Sequence, residues 1–302
     1  MTISEFAPAK VNLTLRVLGR RDDGYHELES LVTFAGVGDR VSLQPGGLAA
    51  VATDGPFAQE IEGENLLSRA LTLLREADPG LRLGRVALTK IIPVAAGLGG
   101  GSADAAALLR AVRRANPDRA GAVDWTGVAA RLGADVPVCL RGEPVIMRGR
   151  GERLHAIVGG RGEPNIACVL ANPRLPLSTA EVFQALQAPA LSPVRAAAHS
   201  RLPEARPFAG LDDLIGYVRA CGNDLEVPAL RLLPAIAEVK AALAAQPGCR
   251  LTAMSGSGPT CFALFTGHRE ATQAADALQR TQPGWWVVAT ALDWPGAGSG
   301  VR

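Results

Sequence analysis

Apolar and polar residues alternate over residues 11–17, the period of a strand buried on one face. Lys10 and Asn12 then share one face, with Leu13 and Leu15 on the other. Two polar residues on a solvated sheet face would give the same pattern. Residues 31–34, 40–43 and 86–92 predict further strands, and the polar stretch 19–26 predicts a loop that ends in Tyr25 and His26. Residues 45–62 read as turns with one or two short strands. A helix is expected from Asn65 to about Glu76, with Asn65 as its cap. Residues 102–115 carry helical spacing at Ala103, Ala106, Ala107, Leu109 and Val112, with Ser102 as N-cap and Asn116-Pro117 as the stop. Residues 124–132 predict a second helix capped by Asp124. Asp135 falls in a tight turn before a Val/Cys/Leu strand, where an Asp bonding its own backbone is an alternative reading. A hairpin over 143–157 follows, turning at residues 148–151.

Gly159, Gly160 and Gly162 give the best linker composition in the chain, so we expect a boundary there, with domains over 1–160 and 161–294. Beyond it the pattern predicts strands at 166–171, 250–254, 261–266 and 285–292. Helices are expected at 178–187, near 211–220, at 229–245 and at 269–280. Periodicity is weak over 188–210. The tail 295–302, rich in Gly and Ser, is expected to be disordered. This order points to an α/β sandwich on a mixed or antiparallel sheet.

Composition narrows the function classes. A chain of 302 residues with 48% hydrophobic content can build two ordinary domains. A net charge of +2 gives no broad attraction for nucleic acid or an anionic membrane, and 4% aromatic residues do not make a stacking platform for single strands. No apolar run is long enough to span a bilayer, and residues 1–6 lack the basic and apolar regions of a signal peptide. Cys139, Cys168, Cys221, Cys249 and Cys261 are scattered and odd in number, which suits reduced thiols in a cytoplasm better than a disulfide framework or a zinc site. The expected partner is a small-molecule substrate. The sequence does not specify an oligomeric state.

Candidate chemistry centres on residues 93–109. Gly97, Gly99, Gly100 and Gly101 crowd together just before a helix. Backbone without Cβ atoms approaches an anion closely, and the helix N-terminus adds partial positive charge, which makes a phosphate cradle. No Lys follows as in a Walker loop, and the third glycine of a dinucleotide fingerprint is missing. A plain glycine-rich turn feeding a helix is the alternative. Residues 254–259 (Met-Ser-Gly-Ser-Gly-Pro) hold more small and rigid residues than a hairpin needs, as expected of a backbone-lined loop meeting the first cradle across a cleft.

Three segments, in order, resemble the three motifs of the GHMP small-molecule kinases: residues 8–13 (Pro-Ala-Lys-Val-Asn-Leu), 93–107 and 251–265. The resemblance spans about residues 6 to 292 and is weakest at 45–62 and 188–210. It implies an α+β, two-domain fold: an N-terminal ribosomal protein S5 domain 2-like ATP-binding domain and a C-terminal ferredoxin-like α/β sandwich. Segments 7–13, 21–26, 97–102, 132–137 and 223–226 are most similar to the family members that act on a cytidine diphosphate-linked acceptor. What this implies is ATP-dependent phosphorylation of the 2-hydroxyl of 4-diphosphocytidyl-2-C-methyl-D-erythritol, in non-mevalonate isoprenoid precursor synthesis.

By the same resemblance, Lys10 and Asp135 match the catalytic pair. Asp135 would accept the hydroxyl proton and Lys10 would balance charge beside it. Pro93, Val94, Ala95, Ala96, Gly97, Leu98, Gly99, Gly100, Gly101, Ser102 and Ala103 would wrap the ATP phosphates, and Asn65 lies on the adenine side. Tyr25, His26 and Phe183 match cytosine-binding positions, Asn12 lies beside the acceptor, and Gly256 and Ser257 would close over the substrate. Ala103 stands where some members carry a second serine, and no carboxylate dedicated to metal is evident, so Mg²⁺ is expected to be held mainly by ATP oxygens and water. Two other readings stay open on sequence: a non-catalytic nucleotide or sugar binder, and a kinase for mevalonate-type or homoserine acceptors.

Overall fold

In the computed structural model, which describes residues 1–63, 65–157, 165–192 and 208–294, strand β3 (His26–Pro45) runs 20 residues without a break. It merges the two strands expected at 31–34 and 40–43. The chain forms two compact units, and β3 contributes to both.

The first unit comprises Met1–Lys10, Val37–Val94 and Gly99–Gly142. It holds most of β1 (Ile3–Asn12), the C-terminal part of β3, β4 (Ala50–Asp54) and β5 (Gly84–Thr89). β3 pairs antiparallel with β5, Arg40 opposite Thr89 through Pro45 opposite Gly84, and β4 runs parallel to β5. Four helices follow: α1 (Leu66–Ala77), α2 (Gly100–Ala115), α3 (Trp125–Leu132) and α4 (Val136–Arg141). α1 starts where expected, because Asn65 Oδ1 accepts the Leu67 N–H at 2.9 Å. α3 is capped as expected by Asp124, which accepts the Gly127 N–H at 2.8 Å. α2 is buried on nearly every face, with Ala105, Leu108 and Ala111 as inaccessible as the stripe read from the sequence. Its many alanines let α1, α3 and α4 pack closely around it.

The second unit comprises Val11–Gly36, Ala95–Leu98 and the chain from Glu143 on. Its strands are β2 (Arg16–Arg20), the N-terminal part of β3, β6 (Val145–Gly149), β7 (Arg153–Ala156), β8 (Asn165–Asn172), β9 (Cys249–Met254), β10 (Cys261–Phe265) and β11 (Trp286–Asp293). β11, β8, β10 and β9 lie side by side in that order, all antiparallel. The helices are α5 (Thr179–Leu186), α6 (Leu211–Cys221), α7 (Glu226–Leu232), α8 (Ala235–Ala244) and α9 (His268–Thr281). Val169, Ala263 and Phe265 of the sheet form one core with Ile236, Val239 and Leu243 of α8 and Ala271, Ala275 and Leu278 of α9. Burying each large apolar side chain there contributes about 1.5–3 kcal/mol.

Four expectations are corrected. The strand read at 11–17 is interrupted at residues 13–15: Leu13 and Thr14 both donate to the Leu31 carbonyl, which ends regular pairing until β2. Ser102 does not cap α2. The helix begins two residues earlier, behind Gly99 at φ +61°, a conformation that favours glycine. Residues 136–141 are helix, not strand. Pro137 sits in the first turn, where its missing N–H costs nothing, and a short apolar run does not reveal its period. The helix read at 229–245 is two helices, broken at Leu233-Pro234 because a residue before proline avoids helical backbone. The expected linker at 159–162 and the tail 295–302 lie outside the described residues, as does most of 188–210.

Candidate active site

In the first unit, β1 delivers Lys10, 4% exposed, and the turn after α3 delivers Asp135. Lys10 Nζ and Asp135 Oδ2 lie 2.7 Å apart. Asp135 stands at the N-cap of α4 yet makes no side-chain capping bond, so its carboxylate faces the lysine rather than its own backbone. The self-bonded Asp turn is therefore not what forms. A Cβ on Gly99 would lie 3.0 Å from Lys10 Cε, so glycine both supplies the left-handed turn and leaves room for the lysine.

Behind Gly99, the amides of Gly100, Gly101 and Ser102 open a 16-residue helix and have no carbonyl one turn back to donate to. Donors and the positive helix end together make an anion site beside the ion pair. A Cβ on Gly101 would lie 3.4 Å from Leu66 Cδ1, so the start of α1, with Asn65 capping it, borders the same turn.

In the second unit, Asn12 is buried at 1% exposure, not set on a solvated face. Its Nδ2 donates to Ser30 Oγ at 2.7 Å, and its backbone N–H to Ser255 Oγ at 3.1 Å. Ser255 Oγ in turn donates to the Gly97 carbonyl at 3.1 Å. A Cβ on Gly97 would come within 2.6 Å of the Gly258 carbonyl oxygen, and one on Gly256 within 3.0 Å of the Gly97 oxygen. Backbone packed on backbone at this distance admits only glycine. Asn223 Nδ2 fastens the turn by donating to the Met254 and Gly256 carbonyls at 2.9 and 2.8 Å. Ser257 Oγ lies 2.7 Å from Thr179 Oγ1, at the start of the helix that carries Phe183.

His26 and Phe183 stack, with ring centroids 4.8 Å apart and planes at 29°. Burial, helped by the Arg20 charge, lowers the His26 pKa. The imidazole is therefore neutral at pH 7 and presents one donor and one acceptor. Tyr25 is exposed, with the Arg150 guanidinium 5.0 Å from its ring centroid. That is cation–π distance.

Residues 65–143 match the family model for the GHMP kinase N-terminal domain, and residues 209–284 match that for the GHMP kinase C-terminal domain. A 4-diphosphocytidyl-2-C-methyl-D-erythritol kinase of Rhodopseudomonas palustris is 48% identical over 97% of this chain and 98% of its own. The chain belongs to the GHMP kinase family. A crystal structure of a 4-(cytidine 5'-diphospho)-2C-methyl-D-erythritol kinase superposes on this GHMP kinase with a TM-score of 0.73, at 35% identity, covering 96% of this chain and 99% of that one. A homoserine kinase from Cytophaga hutchinsonii, at 21% identity and a TM-score of 0.71 over 98% and 96% of the two chains, shares the fold.

Within this GHMP kinase, sequence reading missed the groups that hold the site residues. Ser255, Thr179, Asn223 and the cluster Lys90–Asp39–Asp104 are brought in by tertiary packing. Asp104, near the start of α2, is buried against Lys90. A lone lysine within the apolar stretch 86–92 was the one available signal. No group of three or more His, Cys, Asp or Glu side chains among the described residues could hold a metal ion. No helix among the described residues is long and apolar enough to cross a membrane.

Proposed function

We propose that this GHMP kinase transfers the γ-phosphoryl group of ATP to the 2-hydroxyl of 4-diphosphocytidyl-2-C-methyl-D-erythritol. The observation that carries the reading is the Lys10–Asp135 ion pair at 2.7 Å, directly beside the free amides that open α2. Phosphoryl transfer asks for positioning and charge neutralisation more than covalent chemistry. Asp135 accepts the proton of the attacking hydroxyl. Lys10 orients that carboxylate and offsets charge that builds on the transferring group. Residues 93–103 cradle the phosphates and Asn65 borders the nucleoside. The similarity to 4-diphosphocytidyl-2-C-methyl-D-erythritol kinases supports the choice of acceptor.

For the acceptor, His26 pairs with the cytosine edge, while Phe183 and Tyr25 supply aromatic faces. Asn12, Gly256 and Ser257 border the methylerythritol end. When bound, Mg²⁺ would be held mainly by ATP oxygens and water and would offset phosphate charge. We assign the N-terminal family domain to 1–160 and the C-terminal one to 161–294 along the chain, a division supported by the family-model matches at 65–143 and 209–284, and infer that the protein acts in the cytoplasm on a small-molecule substrate.

A coupled ADP-release assay with Mg-ATP tests the reading, offering the cytidine substrate, mevalonate and homoserine as parallel acceptors. Turnover with the cytidine substrate alone is the expected result. ATP binding with no turnover of any acceptor would replace it with the non-catalytic reading.

A further inference from the structure

Beneath the first turn of α2 lies a buried cluster that the proposed chemistry leaves unused. Lys90, Asp39 and Asp104 are 3%, 0% and 3% exposed. Lys90 Nζ donates to Asp39 Oδ2 at 2.5 Å and to Asp104 Oδ2 at 2.8 Å. Asp39 is fully used, since its Oδ1 also accepts the Ile91 and Ile92 N–H groups at 2.5 and 2.9 Å. Asp104 is not, because its Oδ1 is buried with no hydrogen-bond partner. A Cβ on Gly100 would lie 2.9 Å from Lys90 Nζ. The cluster therefore touches the turn whose amides form the cradle. It ties the chain leaving β5 to the start of α2.

Two carboxylates on one ammonium leave a net charge of −1 when both are ionised. That charge opposes the polyanion the cradle is built to take. A neutral acid is also easier to bury than an unpartnered carboxylate oxygen. We propose that Asp104 is a positioning residue for the phosphate cradle and that nucleotide binding draws a proton from solvent onto its unpartnered oxygen. The inference rests on reading the cradle as the nucleotide site. The proton leaves a buffer acid and forms an O–H bond at Asp104 Oδ1. The cluster passes from −1 to neutral, no other bond changes, and nucleotide release reverses the step.

Burial raises the Asp104 carboxyl to about 7, with the Asp39 charge adding to the rise and Lys90 opposing it. Lys90 and Asp39 are the charged groups that face it. On packed α4 the titratable neighbour is Cys139, a thiol kept neutral because burial pushes it to about 12. On packed α1 and α3, Arg69, Arg75, Glu76 and Arg131 are exposed. Asp104 thus sits where a small bias changes its protonation in the neutral range.

The test is titration calorimetry of the whole protein with ADP, at pH 6 and pH 7.5, in buffers of different ionisation enthalpy. Proton uptake is expected at pH 7.5 and should shrink at pH 6, where Asp104 already holds its proton. The Kd for ADP should weaken with rising pH above 7 by up to about tenfold per unit. D104N should bind ADP with this uptake removed. The nucleotide's own titration is common to both proteins and cancels in the difference.

An infrared difference spectrum of the wild-type protein on adding ADP gives a reading that needs no variant. A new protonated-carboxyl band is expected. Equal uptake in wild type and D104N, or no such band, overturns the inference while leaving the nucleotide site standing. Absence of ADP binding overturns both.

Discussion

At the residue scale, the Lys10–Asp135 contact is the arrangement on which the proposed chemistry depends. Asp135→Asn keeps the shape and loses the proton acceptor. Its kcat should fall by about 10²- to 10⁴-fold with ADP affinity little changed. Steady-state kinetics beside a binding titration check this, and an unchanged kcat would remove Asp135 from the mechanism. Phe183 stacks on His26, so Phe183→Ala should raise the KM for the cytidine substrate about two- to tenfold and leave the ATP KM alone. A matching rise in both constants would mean the ring serves the fold rather than the acceptor. Lys10 and Asn12 were recognisable in the sequence as a pair on one strand face. Their burial was not, because alternation reports which face a residue shares and not what packs over that face.

At the element scale, two glycine-rich turns do different work. The first ends at Gly99 and exposes helix-start amides. The second, 254–259, packs its backbone against Gly97. Gly256 has φ +58° and lies 3.0 Å, at its missing Cβ, from the Gly97 oxygen. Gly256→Ala should therefore cost about 1–3 kcal/mol in urea unfolding. Gly121→Ala, with nothing within 4 Å of its Cβ position, should stay within about 0.5 kcal/mol. Equal effects at both sites would refute the close-approach argument. Asn65→Ala should remove about 1 kcal/mol through the lost cap of α1. The caps at Asn65 and Asp124 were legible because capping is local chemistry. The true start of α2, the helix at 136–141 and the break before Pro234 were misread where a local signal competed with a stronger backbone constraint nearby.

At the scale of the whole molecule, stability should carry the signature of the buried cluster. The Asp104 carboxyl is raised above its unfolded value, so the folded protein holds more protons than the unfolded chain between the ordinary carboxylate range and about pH 7. Its stabilising contribution is complete below that range and is lost as pH rises through about 7. Urea midpoints should fall from pH 5 to pH 8 in wild type, and fall less in D104N. A wild-type midpoint that rises over this interval would contradict the assignment. Lys90→Met leaves two carboxylates buried without their cation and should cost about 3–5 kcal/mol, read from the same curves. The sequence alone determined most of the strands and helices, the two glycine turns, the caps at Asn65 and Asp124 and the residues that mark a GHMP kinase. Those features are written in period, in turn chemistry and in motif spacing, all carried by neighbours along the chain. Only the tertiary structure decided that Lys10 meets Asp135, that His26 meets Phe183, that Ser255 and Asn223 fasten the second turn, and that Asp39 and Asp104 share Lys90. Each of those contacts joins residues far apart in the chain, and no local preference of either partner specifies the other.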